Sequence, residues 1–578
     1  MAGIVLVVVL CALWIGTRGA LAYRYLQSVQ TGASESISTV SRDPSAAAAT
    51  LSRLAADTSE ARELTSDPVW KLAERTPWIG PQLAAFRTIA SSSDVLIRES
   101  LLPLAASTNG VSIDSLKPVD GHIDTSVLPD LVDPAQTAAT RAGAAARAVQ
   151  DINRTPLLGV VDSAVGQAST LFNQVAGSID GLARTSQLLP NMLGQDGPRN
   201  YLLLVQNNAE WRSLGGLTGT AILLHTDAGK ISLVDTQSAT GLVRDLADPI
   251  VPLPAEVTKI YGTRPARYFH NLTQVPNFPV DGPIAREMYR SKTGVQVDGV
   301  IAVDPVVLSY LLETIGPVEL PTGDSLTREN AVQFLLNEVY FRYSDPATQD
   351  KVFASAAGAV FEGLINGRGT MEGLLAALGR ASEERRLLVW SADADEEAIL
   401  EGTTLAGQLP VSDSRTARFG VFFNDGTGSK MSYYLKPTVT ITSGSCGSVS
   451  DSGRDDLTLR VSLTNTAPAD AATSLPEYIT GGGAYGTKPG QANVISNIYL
   501  PQGSTLVAAS TGDNAAFQKD DYEGRQVLTF GTDLSPGATT EITVVARMSS
   551  TPTGAQALIT PTADSSRSPT VTTSCRLN

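Results

Sequence analysis

Residues 201–220, YLLLVQNNAEWRSLGGLTGT, constrain the fold more than any other stretch of this chain. An apolar run of strand length, 201–205, gives way to Gln206, Asn207, Asn208, Ala209 and Glu210, then to Trp211, Arg212 and the pair Gly215–Gly216. A second apolar run at 221–224 restores strand character. Asp227–Ala228–Gly229 has the composition of a tight hairpin turn, and 231–234 supplies the return strand. The polar residues 206–210 therefore read as a turn between strands. A carboxylate, a guanidinium, adjacent amides and a glycine pair at strand ends are the setting in which α/β proteins place sites. The same residues also suit an ordinary structural turn in which Glu210 and Arg212 pair with neighbouring backbone, because Asn and Gly clusters are common turn chemistry.

A chain of 578 residues is long enough for several domains. Its net charge of -15 argues against non-specific nucleic-acid binding, which needs a basic face. With 3 His and 3 Cys and no close pair among them, a Cys/His zinc site is not expected. Cys446 and Cys575 bracket the C-terminal region, and a disulfide between them would suit an oxidising compartment and an exported C-terminal part. The apolar run 3–15, continued to residue 22 apart from Thr17 and Arg18, is just long enough to span a bilayer if Arg18 reaches the interface. Ala20–Leu21–Ala22 would alternatively be a signal-peptide cleavage site. The uncleaved anchor is the expectation.

From residue 25 to about 190 the pattern is helical. Asp43–Pro44 and Asp67–Pro68 are helix starts, and Trp70 and Trp78 are expected to pin helices together. From 196 strand-like and helical runs interleave. After 418 short strands dominate, with Asn424–Gly428 read as a hairpin turn and 431–435 as the partner of strand 419–423. The expected architecture is a multidomain α+β protein. It has a transmembrane anchor at 1–24, a helical stalk or bundle at 25–195, a mixed α/β core at 196–412 and a C-terminal β-sandwich at 413–578.

Four stretches carry a family resemblance: TSDPVWKLAERTPWIG (65–80), LLLVQNNAEWRSLGG (202–216), VDGVIAVDP (297–305) with ETIGPVEL (313–320), and FGVFFNDGTGSKMSYYL (419–435). Together they resemble an actinobacterial envelope family catalogued as domain of unknown function 4012. The resemblance implies a membrane-anchored, extracytoplasmic protein and supplies no activity. More distantly, the order of elements from 200 to 366 is similar to the LytR–CpsA–Psr envelope phosphotransferases. Those enzymes transfer glycopolymers from a polyprenyl-pyrophosphate carrier to the cell wall with clustered arginines, acids and a divalent metal. That likeness places Arg342, Asp345, Asp350 and Lys351 on comparable positions, with Arg212 near an arginine before the central hairpin. Three positions depart from the pattern. Residues 235–238 offer no arginine, Lys351 stands where Arg is usual and cannot make the bidentate phosphate contact, and Asn277 replaces an acid.

A pyrophosphate site needs arginines, backbone N–H groups and a metal held by acids. Asn208, Glu210, Arg212, Gly215, Gly216, Arg244, Arg342 and Lys351 are the candidate ligand-binding residues. Asp345 and Asp350 are the candidate ligands of a divalent cation such as Mg2+. No GxSxG, HExxH, P-loop or strand-flanked GxGxxG motif is present. Two functions follow as expectations. One is binding or transfer of a polyprenyl-linked glycopolymer or cell-wall polysaccharide at the cytoplasmic membrane, which requires Arg212, Arg342 and the two acids to converge. The other is a non-catalytic envelope scaffold or adhesin-like surface protein, in which those charges point apart.

Overall fold

Ala135, Ala138, Ala142, Ala145 and Ala146 recur at helical intervals, so one face of the helix that carries them has only small side chains. In the computed structural model of the chain that face is buried. The structure describes residues 2–40, 44–107, 113–443, 456–512, 515–549, 552, 554–564 and 571–574. The chain divides into two units, 1–117 with 123–197, and 118–122 with 198–578.

The first unit is helical. It contains α1 (Ala2–Val40), α2 (Pro44–Leu64), α3 (Pro68–Ala73), α4 (Ile79–Asp94), α5 (Leu102–Ser107), α6 (Val132–Gln150) and α7 (Gly159–Met192). The alanine face of α6 meets Phe172, Ile179 and Ala183 of α7, together with Leu96 and Leu104. Ala22 of α1, Ala61 of α2 and Ala90 of α4 form a second contact of small residues. Asp67 caps α3 by accepting from the backbone of Val69 and Trp70, as the Asp–Pro start predicts. Trp70 is 1% exposed and donates its indole N–H to the Leu83 carbonyl at 3.3 Å, so it does pin helices. Trp78 does not. It is 87% exposed, because the chain reverses tightly between Glu74 and Gly80 and turns the indole outward. A Cβ on Gly80 would lie 2.2 Å from the Glu74 carbonyl oxygen, which shows how close that reversal is.

Arg18 is not aimed at an interface. It donates to the carbonyls of Leu64 and Glu63 at 2.9 and 2.8 Å and pairs with Asp67 at 3.1 Å, which satisfies the C-terminal end of α2. Among the described residues no helix is long and apolar enough to cross a membrane. The side chains of residues 2–8, part of the expected anchor, lie outside the described residues. Asp43 and the expected Cys446–Cys575 disulfide lie outside them too.

The second unit starts with β1 (Arg199–Arg212), β2 (Gly215–Asp227) and β3 (Lys230–Ser238), a continuous antiparallel meander. Ala228 and Gly229 both take positive φ in the turn joining β2 to β3, as a two-residue hairpin requires. The segments α8 (Ala239–Leu242), α9 (Ala255–Tyr261) and α10 (Phe278–Thr293) lead to β4 (Gly299–Val303), which pairs parallel with β1. Then come α11 (Pro305–Ile315), the short pair β5 (Val318–Glu319) and β6 (Ser325–Leu326), helical segments to residue 383, and β7 (Leu388–Ser391), antiparallel to β4. The sheet order is β3-β2-β1-β4-β7. Phe278, Ile284, Ala285 and Met288 of α10 pack on Leu202, Leu204, Val300 and Ala302 of that sheet.

Ten further strands follow: β8 (Thr416–Asp425), β9 (Leu435–Ser443), β10 (Asp456–Asn465), β11 (Ala492–Tyr499), β12 (Thr505–Thr511), β13 (Phe517–Tyr522), β14 (Arg525–Leu534), β15 (Thr539–Arg547), β16 (Gly554–Ile559) and β17 (Val571–Ser574). They form two five-stranded sheets, β12-β15-β10-β9-β17 and β13-β14-β11-β8-β16. Buried residues of both, such as Phe419, Phe423, Val439, Leu459, Ile498 and Val544, share one core with Trp211 and α11.

Two sequence expectations change here. Residues 206–210 are not a turn. β1 runs on through them to Arg212, with irregularities between Val205 and Gln206 and between Asn207 and Trp211. The polar side chains are buried by partners from distant segments, which local composition does not show. Residues 431–435 are not the hairpin partner of β8. Met431–Tyr434 is a single 3-10 turn, and β9 begins at Leu435 in the other sheet. Buried Met431 and Ser432 anchor this crossover, and it carries the preceding Lys430 inward.

Candidate functional site

The end of β1 and the start of β2 approach so closely that only glycine fits. Gly215 holds φ 134, and a Cβ there would lie 2.2 Å from Gln206 Oε1. A Cβ on Gly216 would lie 2.3 Å from the Asn207 carbonyl carbon. The Gly216 N–H donates to Gln206 Oε1 at 3.0 Å and is not free to hold an anion. The glycine pair therefore has a packing role in place of the phosphate-cradling role expected of it.

Closure of this hairpin buries its charges. Glu210 Oε1 accepts from Arg212 Nη2 at 3.0 Å, and Oε2 accepts from Lys430 Nζ at 2.5 Å. Arg212 also donates through Nε to Asn271 Oδ1 at 3.0 Å and through Nη1 to the Trp211 carbonyl at 2.8 Å. Each guanidinium nitrogen thus has a partner inside the protein. Burial alone works against the Glu210 carboxylate, but the Lys430 ammonium and the Arg212 guanidinium outweigh it and hold its pKa below the usual carboxylate value. Burial likewise opposes the Lys430 ammonium, and Glu210 overcomes it and raises that pKa. Asp425 faces the same group. Burial, and then the Glu210 charge, push it up to about 6, while it accepts from the Thr427 and Gly428 backbone at 2.7 and 2.6 Å. His270 stands at the rim, where burial and then Arg212 push its imidazole down to about 4.

Neutral partners tie the same strand to the C-terminal sheets. Ser213 N–H donates to Asn424 Oδ1 at 3.1 Å, and Asn424 Nδ2 returns a bond to Ser213 Oγ at 3.0 Å. Thr560 Oγ1 donates to the Ser213 carbonyl at 2.9 Å. Asn207 Nδ2 donates to Tyr340 Oη at 2.5 Å, and Trp211 stacks on Phe423 with centroids 5.2 Å apart. Asn208 Nδ2 reaches Asp304 Oδ2 at 3.0 Å and the Pro561 carbonyl at 3.1 Å. Asp304 caps α11, and its Oδ2 also accepts from Arg386 Nη1 at 2.7 Å. Arg386 in turn donates to the Thr562 carbonyl at 2.8 Å. The stretch that reads as a site is thus a polar clasp between the first sheet and the two that follow.

The remaining candidates lie elsewhere. Arg342 is exposed and pairs with Asp324 and with Glu338, not with Asp345. Asp345 is the N-cap of helix Pro346–Ile365 and accepts from the Thr348 backbone and hydroxyl at 3.0 and 2.8 Å. Lys351 is exposed on that helix and Asp350 is half-buried there. No interaction joins these residues to Arg212, so the convergence required for a pyrophosphate site is not found. Among the described residues no group of three His, Cys, Asp or Glu side chains could hold a metal ion. Arg244 is exposed, and its charge is felt at His270. Asn277 donates to Tyr522 Oη and Glu523 Oε1, each at 3.2 Å.

Sequence reasoning missed Lys430, Asp425, His270 and Arg386. Lys430 had a signal, since it is the one cation between 419 and 435. Arg386 had none, because its partner Asp304 is 82 residues away.

Residues 196–340 match the family model DUF4012, a protein of unknown function. No curated protein matches the chain. Similar solved structures include protein gbs0355 from Streptococcus agalactiae, 12% identical over 38% of this chain and 79% of that one, with a TM-score of 0.24. Another is the transcriptional regulator yvhJ from Bacillus subtilis, 11% identical over 38% of this chain and 84% of that one, with a TM-score of 0.21. At these scores the likeness carries no functional argument. The family match begins just before β1 and covers the whole clasp strand.

Proposed function

We propose that this chain is a non-catalytic envelope protein, a scaffold or adhesin-like surface protein held at the cytoplasmic membrane with its bulk extracytoplasmic. The observation that carries the reading is the internal pairing of Glu210 with Arg212 and Lys430, with Arg342, Asp345 and Lys351 engaged separately or exposed. The extracytoplasmic placement draws on the apolar run 3–15, the acidic composition and the Cys446–Cys575 pair. A LytR–CpsA–Psr-like arrangement of the first sheet and a β-sandwich arrangement of the last two belong to the same reading, as a rigid platform without the family's chemistry. The test is titration of the full chain with a prenyl pyrophosphate and Mg2+. No saturable binding is expected.

A second reading is favoured by one observation. Arg244 is exposed, and its charge lowers the His270 pKa in addition to that of Arg212 and against that of Glu210, so one solvent-facing cation stands near the rim of the clasp. If this rim holds a lipid-linked or wall glycopolymer, the titration saturates and Arg244→Ala weakens it roughly tenfold, about 1.4 kcal/mol. That result would replace the scaffold reading.

A further inference from the structure

The helical unit carries apolar side chains at one end that nothing described within it covers. Leu72, Trp78, Ile79, Leu158 and Val160 are exposed there, Val160 to 85%. They come from two segments that are stitched together. Gln82 Nε2 donates to the carbonyls of Trp78 at 3.0 Å and Pro156 at 2.9 Å, and its Oε1 accepts from Leu158 N–H at 3.1 Å. Trp78 also holds φ 69, a backbone conformation that a bulky side chain rarely adopts. The unit therefore maintains a rare backbone conformation whose outcome is an indole in solvent.

Helix α1 leaves the unit at this same end. Arg18 meets Leu64 and Asp67, while Ser28 meets Asp57, so α1 runs antiparallel to α2. Ala90 meets Ala61, while Ile97, in the helical segment Val95–Leu101 that continues α4, meets Leu54 and Ala55, so α4 runs antiparallel to α2 as well. Helices α1 and α4 are thus parallel, level with each other at Ala22 and Ala90. Equal steps back along each reach Cys11 and Ile79, roughly 16 Å away at the helical rise. Leu10, Leu13 and Trp14 are exposed at that level of α1. Lys71 and Arg75 are exposed beside Leu72 and Trp78, without a carboxylate partner among the described residues.

We infer that this end of the helical unit is a membrane-docking face. Trp78, Ile79, Leu158 and Val160 enter the interfacial layer of a bilayer, and Lys71 and Arg75 meet anionic headgroups. Tryptophan favours that layer, and exposed apolar residues beside unpaired basic ones are what an anionic lipid surface recognises. The inference rests on the placement at a membrane proposed above, but it does not require α1 to cross the bilayer.

Tryptophan emission tests it in the full chain. Trp70, Trp211 and Trp390 are buried, so in Trp14→Phe the surface indole is Trp78, and in Trp78→Phe it is Trp14. Each variant is bound to vesicles of equal parts phosphatidylglycerol and phosphatidylcholine brominated in their acyl chains. The docking face predicts loss of Trp78 emission on brominated but not on ordinary vesicles, with no such loss in Trp14→Phe/Trp78→Phe. Quenching of Trp14 without quenching of Trp78 overturns the docking face and leaves the chain at the membrane. Quenching of neither overturns both.

Discussion

Glu210, Arg212 and Lys430 have side chains 4%, 8% and 8% exposed, whereas Arg342 and its partners Asp324 and Glu338 are 44%, 24% and 35% exposed. Written as sequence, Glu210 with Arg212 and Glu338 with Arg342 are each an acid and a base a few residues apart. In the fold they differ in kind. The first has exchanged water for one another and for backbone, so each member depends on the rest. The second remains solvated, and each pair is nearly independent of the fold. Local charge density therefore does not distinguish a ligand site from a structural clasp. The distinction lies in whether the charges are already satisfied.

The comparison breaks most directly at Glu210. Glu210→Ala leaves Lys430 and Arg212 facing each other inside the protein, and a loss of about 3–5 kcal/mol in urea unfolding is expected. Adding Lys430→Met to that variant recovers part of the loss, because a buried apolar side chain needs no counter-charge. A loss no larger than that of a surface pair would show the clasp to be solvated after all. Gly216→Ala comes next. The new Cβ has no room against the Asn207 backbone, and a cost of about 3 kcal/mol is expected, with the midpoint shifted and the denaturant slope unchanged.

Acid titration sharpens the contrast. The imidazole of His270, pushed down to about 4 by burial and then by Arg212, binds fewer protons folded than unfolded below its ordinary value of 6.5. Its contribution to stability is present above about pH 6.5 and is lost as pH falls towards about 4. Asp281 acts in the opposite direction. It is fully buried in α10, neither carboxylate oxygen meets a donor, and burial raises its pKa well above 3.8. The unfolded chain releases that proton first, so stability falls as pH rises from about 3.8 towards the folded value. Asp281→Asn removes this fall, and unfolding curves measured from pH 4 to 7 would read it directly. An unchanged pH profile in that variant would show that the carboxyl is already ionised in the folded chain. The smallest effect is expected at Arg342→Ala, less than about 1 kcal/mol, since an exposed pair gains little over solvation. A larger loss would make the surface group structural and end the contrast with the clasp.

The helical unit was legible for a physical reason. Ala135 through Ala146 repeat at the helical period, and Asp67–Pro68 caps and starts α3 through bonds made within three residues. The strands at 201–205 and 221–224 were legible too, because period and composition are local properties. Trp78 was not, since its φ of 69 follows from the tight reversal onto Glu74, which composition alone does not specify.

What the sequence by itself determined is the order of the elements, the two-residue turn at Ala228–Gly229 and the capped helix starts, all set by interactions between near neighbours. What only the tertiary structure decided is the meaning of 206–216. Asn424, Lys430 and Thr560 reach that strand from more than 200 residues away. A buried carboxylate is stable only where such partners converge, and convergence is a property of the packed chain.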